Sequence, residues 1–236
     1  MQKNIPNVFQ LLRNEFGAQD WWPGETPFEV MVGAVLTQQT SWKNVEKAIN
    51  NLKEGGVLSP SSFNKISLER IKQLIKPAGF YNIKTERLKA LTEYFIKQYN
   101  GSISQMQKNT VAKLRKELLS IKGIGKETAD SILLYALDKK IFVVDAYTIR
   151  MIHRTDILNS ADYDEVRKIF ETNLKKYKIN GYSTVDVFKE MHALIVELGK
   201  RYCKKIPICN GCPLNKMCKK KGVQNEYTRN QKMQFV

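Results

Sequence analysis

No apolar run in this 236-residue chain approaches the length of about 18 residues that a membrane span requires. The nearest is Ile141-Phe142-Val143-Val144, so insertion into a bilayer is excluded. An apolar leader is also missing: the opening Met-Gln-Lys-Asn-Ile-Pro reads as the start of a soluble protein in a reducing cytoplasm, where disulfides are not expected. Cysteine is absent until position 203, which excludes a disulfide-braced scaffold. Strand-type alternation is absent too. Acidic residues are few, 23 against 39 Lys and Arg, for a formal charge of +16. A basic excess of that size points to a polyanionic partner, nucleic acid first, with a generally lysine-rich proteome as the plain alternative.

What is present is helical periodicity, in a chain whose 42% apolar residues suffice for a sizeable core. Val8, Phe9, Leu11, Leu12 and Phe16 recur at three-and-four spacing, as do Phe28, Met31, Val35 and Leu36, then Val45, Ala48, Ile49 and Leu52. Each predicts an amphipathic helix. The pattern returns over 71–75, 88–96, 111–119, 129–137, 166–174 and 185–198. Short connections carry turn residues, such as Glu54-Gly55-Gly56, Pro77-Ala78-Gly79 and Asn100-Gly101. The expectation is an all-α fold, with a polar, lysine-rich tail or loosely docked arm after about 219.

The four cysteines, Cys203, Cys209, Cys212 and Cys218, are spaced C-x5-C-x2-C-x5-C. Four thiolates satisfy a tetrahedral zinc ion or the corners of an iron–sulfur cube. One close pair flanked by two five-residue gaps suits a single loop around the larger cluster, so a [4Fe-4S] centre leads and zinc stays as the alternative. Lysines at 204, 205, 216, 219, 220 and 221 surround the ligands, as phosphate contacts or as solvated charge.

Lys122-Gly123-Ile124-Gly125-Lys126 joins two predicted helices. Glycine at both positions allows positive φ and close approach of a phosphate to the amides, flanked by two lysines; a tight packing turn is the plain reading. Asp145 follows the apolar run and precedes another helix, where an N-cap is the economical role.

Taken in order, Phe28-Glu29 through Leu36-Thr37-Gln38-Gln39-Thr40, the Gly79-Phe80-Tyr81-Asn82 turn, the hairpin with Lys126-Glu127-Thr128-Ala129, Val144-Asp145 and the cysteine loop resemble the helix-hairpin-helix DNA glycosylases of the endonuclease III group. The family leaves six residues after the first cysteine where this chain leaves five, so the loop is tighter here. The resemblance implies two helical lobes with a cleft between them: a six-helix barrel-like domain and a discontinuous iron–sulfur cluster domain. The implied boundaries are 1–24 and 140–220 for the cluster domain, with its loop at 203–218; 25–139 for the six-helix domain, with the hairpin motif at about 110–138; and 221–236 for the tail. It also implies a cytoplasmic, nucleoid-associated monomer acting on double-stranded DNA that holds a damaged base. Asp145 becomes the catalytic carboxylate, Gln39 the side chain inserted where a nucleotide is extruded, and Lys122, Gly123, Gly125 and Lys126 the phosphate contacts.

In strand-cleaving members a lysine directly before the Thr-Ala pair attacks the sugar. This chain has Glu127 there. Lys126, one residue earlier, is rotated by about 100° around the helix, so a water-using, monofunctional glycosylase is implied. Trp21-Trp22-Pro23 and Trp42, with the Leu-Thr-Gln-Gln-Thr segment, are similar to the 3-methyladenine DNA glycosylase III branch, although that branch lacks the cysteines. The tryptophans would stack on a cationic alkylated purine, with Glu127 beside them; core packing is the plain alternative. Other readings are a bifunctional pyrimidine glycosylase/lyase, a mismatch glycosylase, or a non-catalytic iron–sulfur DNA-binding protein.

Overall fold

The computed structural model describes residues 5–19 and 24–223. Among these residues the structure is all-helical, without strands. The chain divides into two compact units, Trp22–Lys140 and the discontinuous Met1–Trp21 with Ile141–Val236.

The continuous unit opens with α2 (Pro27–Leu36), which follows α1 (Ile5–Phe16) of the other unit. Thr26 caps α2 by accepting from the Glu29 amide, and Pro27 occupies the first turn, where its missing N–H costs nothing. The expected amphipathic face is not found. Every residue of α2 from Phe28 to Leu36 except Ala34 is buried, because α2 packs against α3 (Trp42–Glu54), α6 (Tyr81–Tyr99), α9 (Lys126–Ser131) and the π-helical turn Ile132–Ala136. A helix enclosed on all sides has no polar face to show. Phe28 stands between Phe63 and Phe95, with centroids at 6.0 and 6.3 Å.

Two short helices, α4 (Pro60–Lys65) and α7 (Ile103–Gln107), raise this unit above the expected six. They begin at Ser59 and Ser102, whose hydroxyls accept from the third amide onward. Such segments are too short to show a period. The remaining helices are α5 (Leu68–Ile75) and α8 (Val111–Ser120).

Lys84, in the first turn of α6, is 1% exposed. Its Nζ donates to the carbonyls of Leu36 at 2.8 Å and Ala78 at 2.9 Å. Burial, with the nearby Arg87 charge, pulls its pKa down to about 8.

In the discontinuous unit, α10 (Ala146–Thr155) and α1 both pack on α12 (Thr184–Arg201), and α11 (Tyr163–Leu174) contacts α1 and α12. Phe142 stacks on Phe170 at 4.6 Å and meets Phe188 edge-on at 6.1 Å. The buried run 141–144 is extended without a strand partner, so side chains satisfy its amides: Phe142 N–H donates to Glu171 and Val144 N–H to the Tyr163 hydroxyl. Gly199 lets α12 approach α10 closely, since a Cβ there would enter the Tyr147 ring. The expected tail at 221–236 begins as packed chain. The Lys221 amide donates to the Arg154 carbonyl, its ammonium pairs with Asp156 at 2.7 Å, and Val223 is buried.

Candidate active site

Asp145 is the N-cap of α10 and only 9% exposed. One oxygen, Oδ1, accepts from the Thr148 amide at 2.7 Å and from the Thr148 hydroxyl at 2.8 Å. The other, Oδ2, lies 3.6 Å from Nε2 of His192 on α12. Burial pushes the carboxyl up, but the His192 side chain and the Thr148 hydrogen bonds outweigh it and hold it below the usual carboxylate range. Capping thus fixes one oxygen and keeps the group ionised. Sequence reasoning passed over His192, although it is one of only two histidines; nothing in its local pattern marks a residue 47 positions from its partner.

His192→Leu removes the strongest downward influence on Asp145 and leaves burial in place. Because the native pKa is lowered, the charge persists even below the unfolded value and is lost only as pH falls through the folded one. In the variant the acid limb of the pH–rate profile for single-turnover base release therefore moves to higher pH. An unmoved limb contradicts this assignment.

The hairpin lies in the other unit. Lys122, Gly123, Gly125, Lys126 and Glu127 are all exposed. The expectation of two left-handed glycines is half met. Gly123 has φ +85 and Gly125 has φ −89 with an extended ψ of 178. A Cβ at Gly123 would land on the Arg87 side chain, whereas one at Gly125 meets nothing within 4 Å. Gly123→Ala should therefore destabilise the protein by about 1–3 kcal/mol in denaturant unfolding, while Gly125→Ala leaves stability within about 0.5 kcal/mol.

Gln38 braces this turn: its Nε2 donates to Gly123 O at 3.2 Å and to Thr128 Oγ1 at 2.9 Å. Arg87 donates in turn to Gln38 Oε1. Gln39, next along, is exposed at φ 53. Phe80, also at positive φ (46), is 61% exposed, a conspicuous position for a phenylalanine. Trp42 is the first residue of α3 and half-buried. Trp21 and Trp22 lie outside the described residues.

All four cysteines line one cavity of about 30 Å³, with Arg154, Tyr202, Pro207 and Val223. Among the described residues no three metal-ligating side chains are gathered as one ion would need. Burial pushes the Cys212 thiol up to about 11 and the Cys218 thiol upward, and the neighbouring cysteines add to both shifts. The Leu214 and Lys220 amides donate to these two sulfurs and oppose the shift. Four sulfur donors around one cavity are the donor chemistry of a thiolate-bound metal cofactor, and such thiols ionise together only beside positive charge. Arg154, 4% exposed, binds the loop that carries them: NH1 donates to Lys204 O at 2.6 Å and lies 3.4 Å from Cys203 Sγ, and NH2 donates to Lys205 O at 2.9 Å. Arg150 donates to Cys203 O at 2.7 Å. The helix capped by Asp145 is thus bolted to the cysteine loop within the same unit. At this point the backbone of Lys204 and Lys205 is engaged, where the sequence drew notice only to their charges.

This all-helical fold is that of the helix-hairpin-helix glycosylases. Residues 32–176 match the HhH-GPD superfamily base excision DNA repair protein family, and the chain belongs to it. It is 49% identical over 217 residues to a provisionally named DNA repair glycosylase of Methanocaldococcus jannaschii, covering 91% of this chain and 95% of that protein. It is 28% identical to endonuclease III of Thermotoga maritima, over 81% of this chain and 82% of the relative. The crystal structure of H. pylori 3-methyladenine DNA glycosylase bound to 1,N6-ethenoadenine superposes with a TM-score of 0.74 at 31% identity, covering 84% of this chain and 97% of that one. A non-covalent endonuclease III–DNA complex matches in fold with the same TM-score at 23% identity, over 97% and 99% of the two chains.

Proposed function

We propose that this protein is a monofunctional DNA glycosylase that hydrolyses the N-glycosidic bond of an extruded, damaged base in duplex DNA, with an alkylated purine such as 3-methyladenine as substrate. The observation that carries the reading is Asp145, a buried carboxylate kept ionised at the head of α10 in a chain of the glycosylase family.

As the base departs, positive charge grows on the sugar. A fixed carboxylate stabilises that charge and orients the attacking water. Extrusion leaves a gap in the stack. Gln39 and the exposed Phe80, both on left-handed turns, are the side chains to enter the duplex, since an apolar wedge offsets lost stacking. Lys122, Lys126 and the amides around Gly123 and Gly125 hold phosphates. With Glu127 in the position of the lyase lysine, the chain has no amine at that point of the hairpin helix.

Trp42, Trp21 and Trp22 supply stacking faces for a cationic base, and Glu127 favours its charge. The likeness to an H. pylori enzyme bound to an adenine derivative supports the purine assignment. A pyrimidine glycosylase/lyase is the second reading, favoured by the likeness to endonuclease III.

Cys203, Cys209, Cys212 and Cys218 would hold a [4Fe-4S] cluster, with zinc as the alternative. When bound, it supplies a rigid cross-link for the basic loop.

Methylated duplex DNA incubated with the protein should release free methylpurine, resolved by chromatography, and borohydride should trap no covalent adduct. Release of oxidised pyrimidine together with a trapped adduct would replace this reading with the second.

A further inference from the structure

Among the described residues six non-glycine positions have positive φ. Three of them are Asn100, Asp138 and Asp156, types that tolerate the left-handed region through their short polar side chains. Of the other three, Gln39 and Phe80 stand in one compact unit and are both exposed. A left-handed conformation at such residues costs about 1–2 kcal/mol and persists only where the surroundings over-determine it.

The surroundings here are the first two turns of α6. Lys84 joins the carbonyl of Leu36, where α2 ends three residues before Gln39, to the carbonyl of Ala78, two residues before Phe80. Arg87, one turn further along the helix and half-buried, donates to Gln38 and lies against the Cα of Gly123. Gln38 then reaches the carbonyl of Gly123 and the hydroxyl of Thr128.

We infer that Lys84 and Arg87 are positioning residues forming a bracket that presets the spacing of three turns, 36–40, 78–80 and the hairpin, so that Gln39, Phe80 and the hairpin amides engage damaged duplex as one prearranged unit. The inference rests on the proposed action on DNA. A buried ammonium is a costly way to fill a core position, because an apolar side chain packs there without desolvating a charge. What the ammonium adds is two hydrogen bonds to carbonyls in separate turns. Arg87 adds the third link, between the Gln39 turn and the hairpin. Preset turns spare the ordering free energy that mobile loops lose on binding.

The test is a double-mutant cycle read as affinity for a duplex carrying a tetrahydrofuran abasic site, with 2-aminopurine opposite it reporting unstacking by fluorescence. Lys84→Met and Arg87→Met are each made alone and in a Gln39→Ala/Phe80→Ala background. Each single variant is expected to weaken binding by about tenfold, near 1.4 kcal/mol, and to reduce the fluorescence rise. In the Gln39→Ala/Phe80→Ala background the same changes should cost about threefold or less, because of the groups they place only the hairpin amides remain. Arg87→Lys, which keeps a donor, should recover part of the loss. Should Lys84→Met not fold, Arg87→Met carries the cycle alone. Equal losses in both backgrounds, or no loss in either, would overturn the bracket. If Gln39→Ala/Phe80→Ala itself binds as tightly as wild type, the reading of these side chains as duplex probes fails and takes the bracket with it.

Discussion

Asp145→Asn is expected to slow base release by about 10²–10³-fold, the range found when one preorganised electrostatic partner of a transition state is removed, about 2.7–4 kcal/mol. Asparagine keeps the shape and retains an oxygen able to accept from the Thr148 amide and hydroxyl, so α10 stays capped. It carries no charge to set against a cationic sugar. Binding to an abasic-analogue duplex should stay within a few-fold of wild type, because Gln39, Phe80 and the hairpin are untouched. Single-turnover release, beside a binding titration, checks both halves. A rate within threefold of wild type would remove Asp145 from the chemistry, and only a wild type that releases no base would revive the non-catalytic reading.

Arg154→Leu should have the second-largest effect, and it acts on the fold. Its guanidinium is the donor to Lys204 O and Lys205 O and the neighbour of Cys203 Sγ. Hydrogen bonds from a charged group contribute about 1.5–3 kcal/mol each, so losing two costs on the order of 3–6 kcal/mol, a large fraction of a typical domain's stability. The cysteine loop should loosen, the purified variant should carry less iron and acid-labile sulfide, and its thermal midpoint should fall by several degrees. Arg150 holds Cys203 O from the same helix, so Arg150→Leu should show a weaker form of this behaviour. Normal metal content with an unchanged melting curve would deny Arg154 its anchoring role.

The elements legible in the sequence are those whose signal is local. Amphipathic periods located α1, α3, α6, α8, α11 and α12 to within a turn or so at most ends. The Gly-Ile-Gly turn and Val-Val-Asp were visible as strings. Asp145 illustrates why a residue's local role does not compete with its chemical one: as the cap of α10 it does what position alone suggested, and the same hydrogen bonds hold the carboxyl ionised.

What was not legible depends on partners distant in the chain. Lys84 and Leu36 are 48 positions apart, Gln38 and Thr128 are 90 apart, and Arg154 and Lys204 are 50 apart. By composition Lys84 and Arg154 belong on a solvated face, and only the packing of α6 and α10 makes them buried donors. The error at α2 has the same origin. Its sequence contains an apolar period, but burial on every side comes from neighbours that a local pattern cannot count. At the hairpin, glycine at 123 answers to φ and to Arg87, whereas glycine at 125 has open space and an ordinary backbone, a difference that two identical letters conceal. Phe80 reads in the sequence only as one letter of a turn motif, because its exposure on a left-handed turn is a fact of three dimensions.

The proposed role of Asp145 is to stabilise, with its ionised carboxylate, positive charge on the sugar of an extruded nucleotide. It is tested most directly by comparing affinities for two duplexes, one with a cationic azasugar at the lesion position and one with its neutral tetrahydrofuran counterpart, in wild type and in Asp145→Asn. Wild type should prefer the cationic duplex by at least tenfold, and the preference should largely disappear in the variant. An equal preference in both proteins would contradict it.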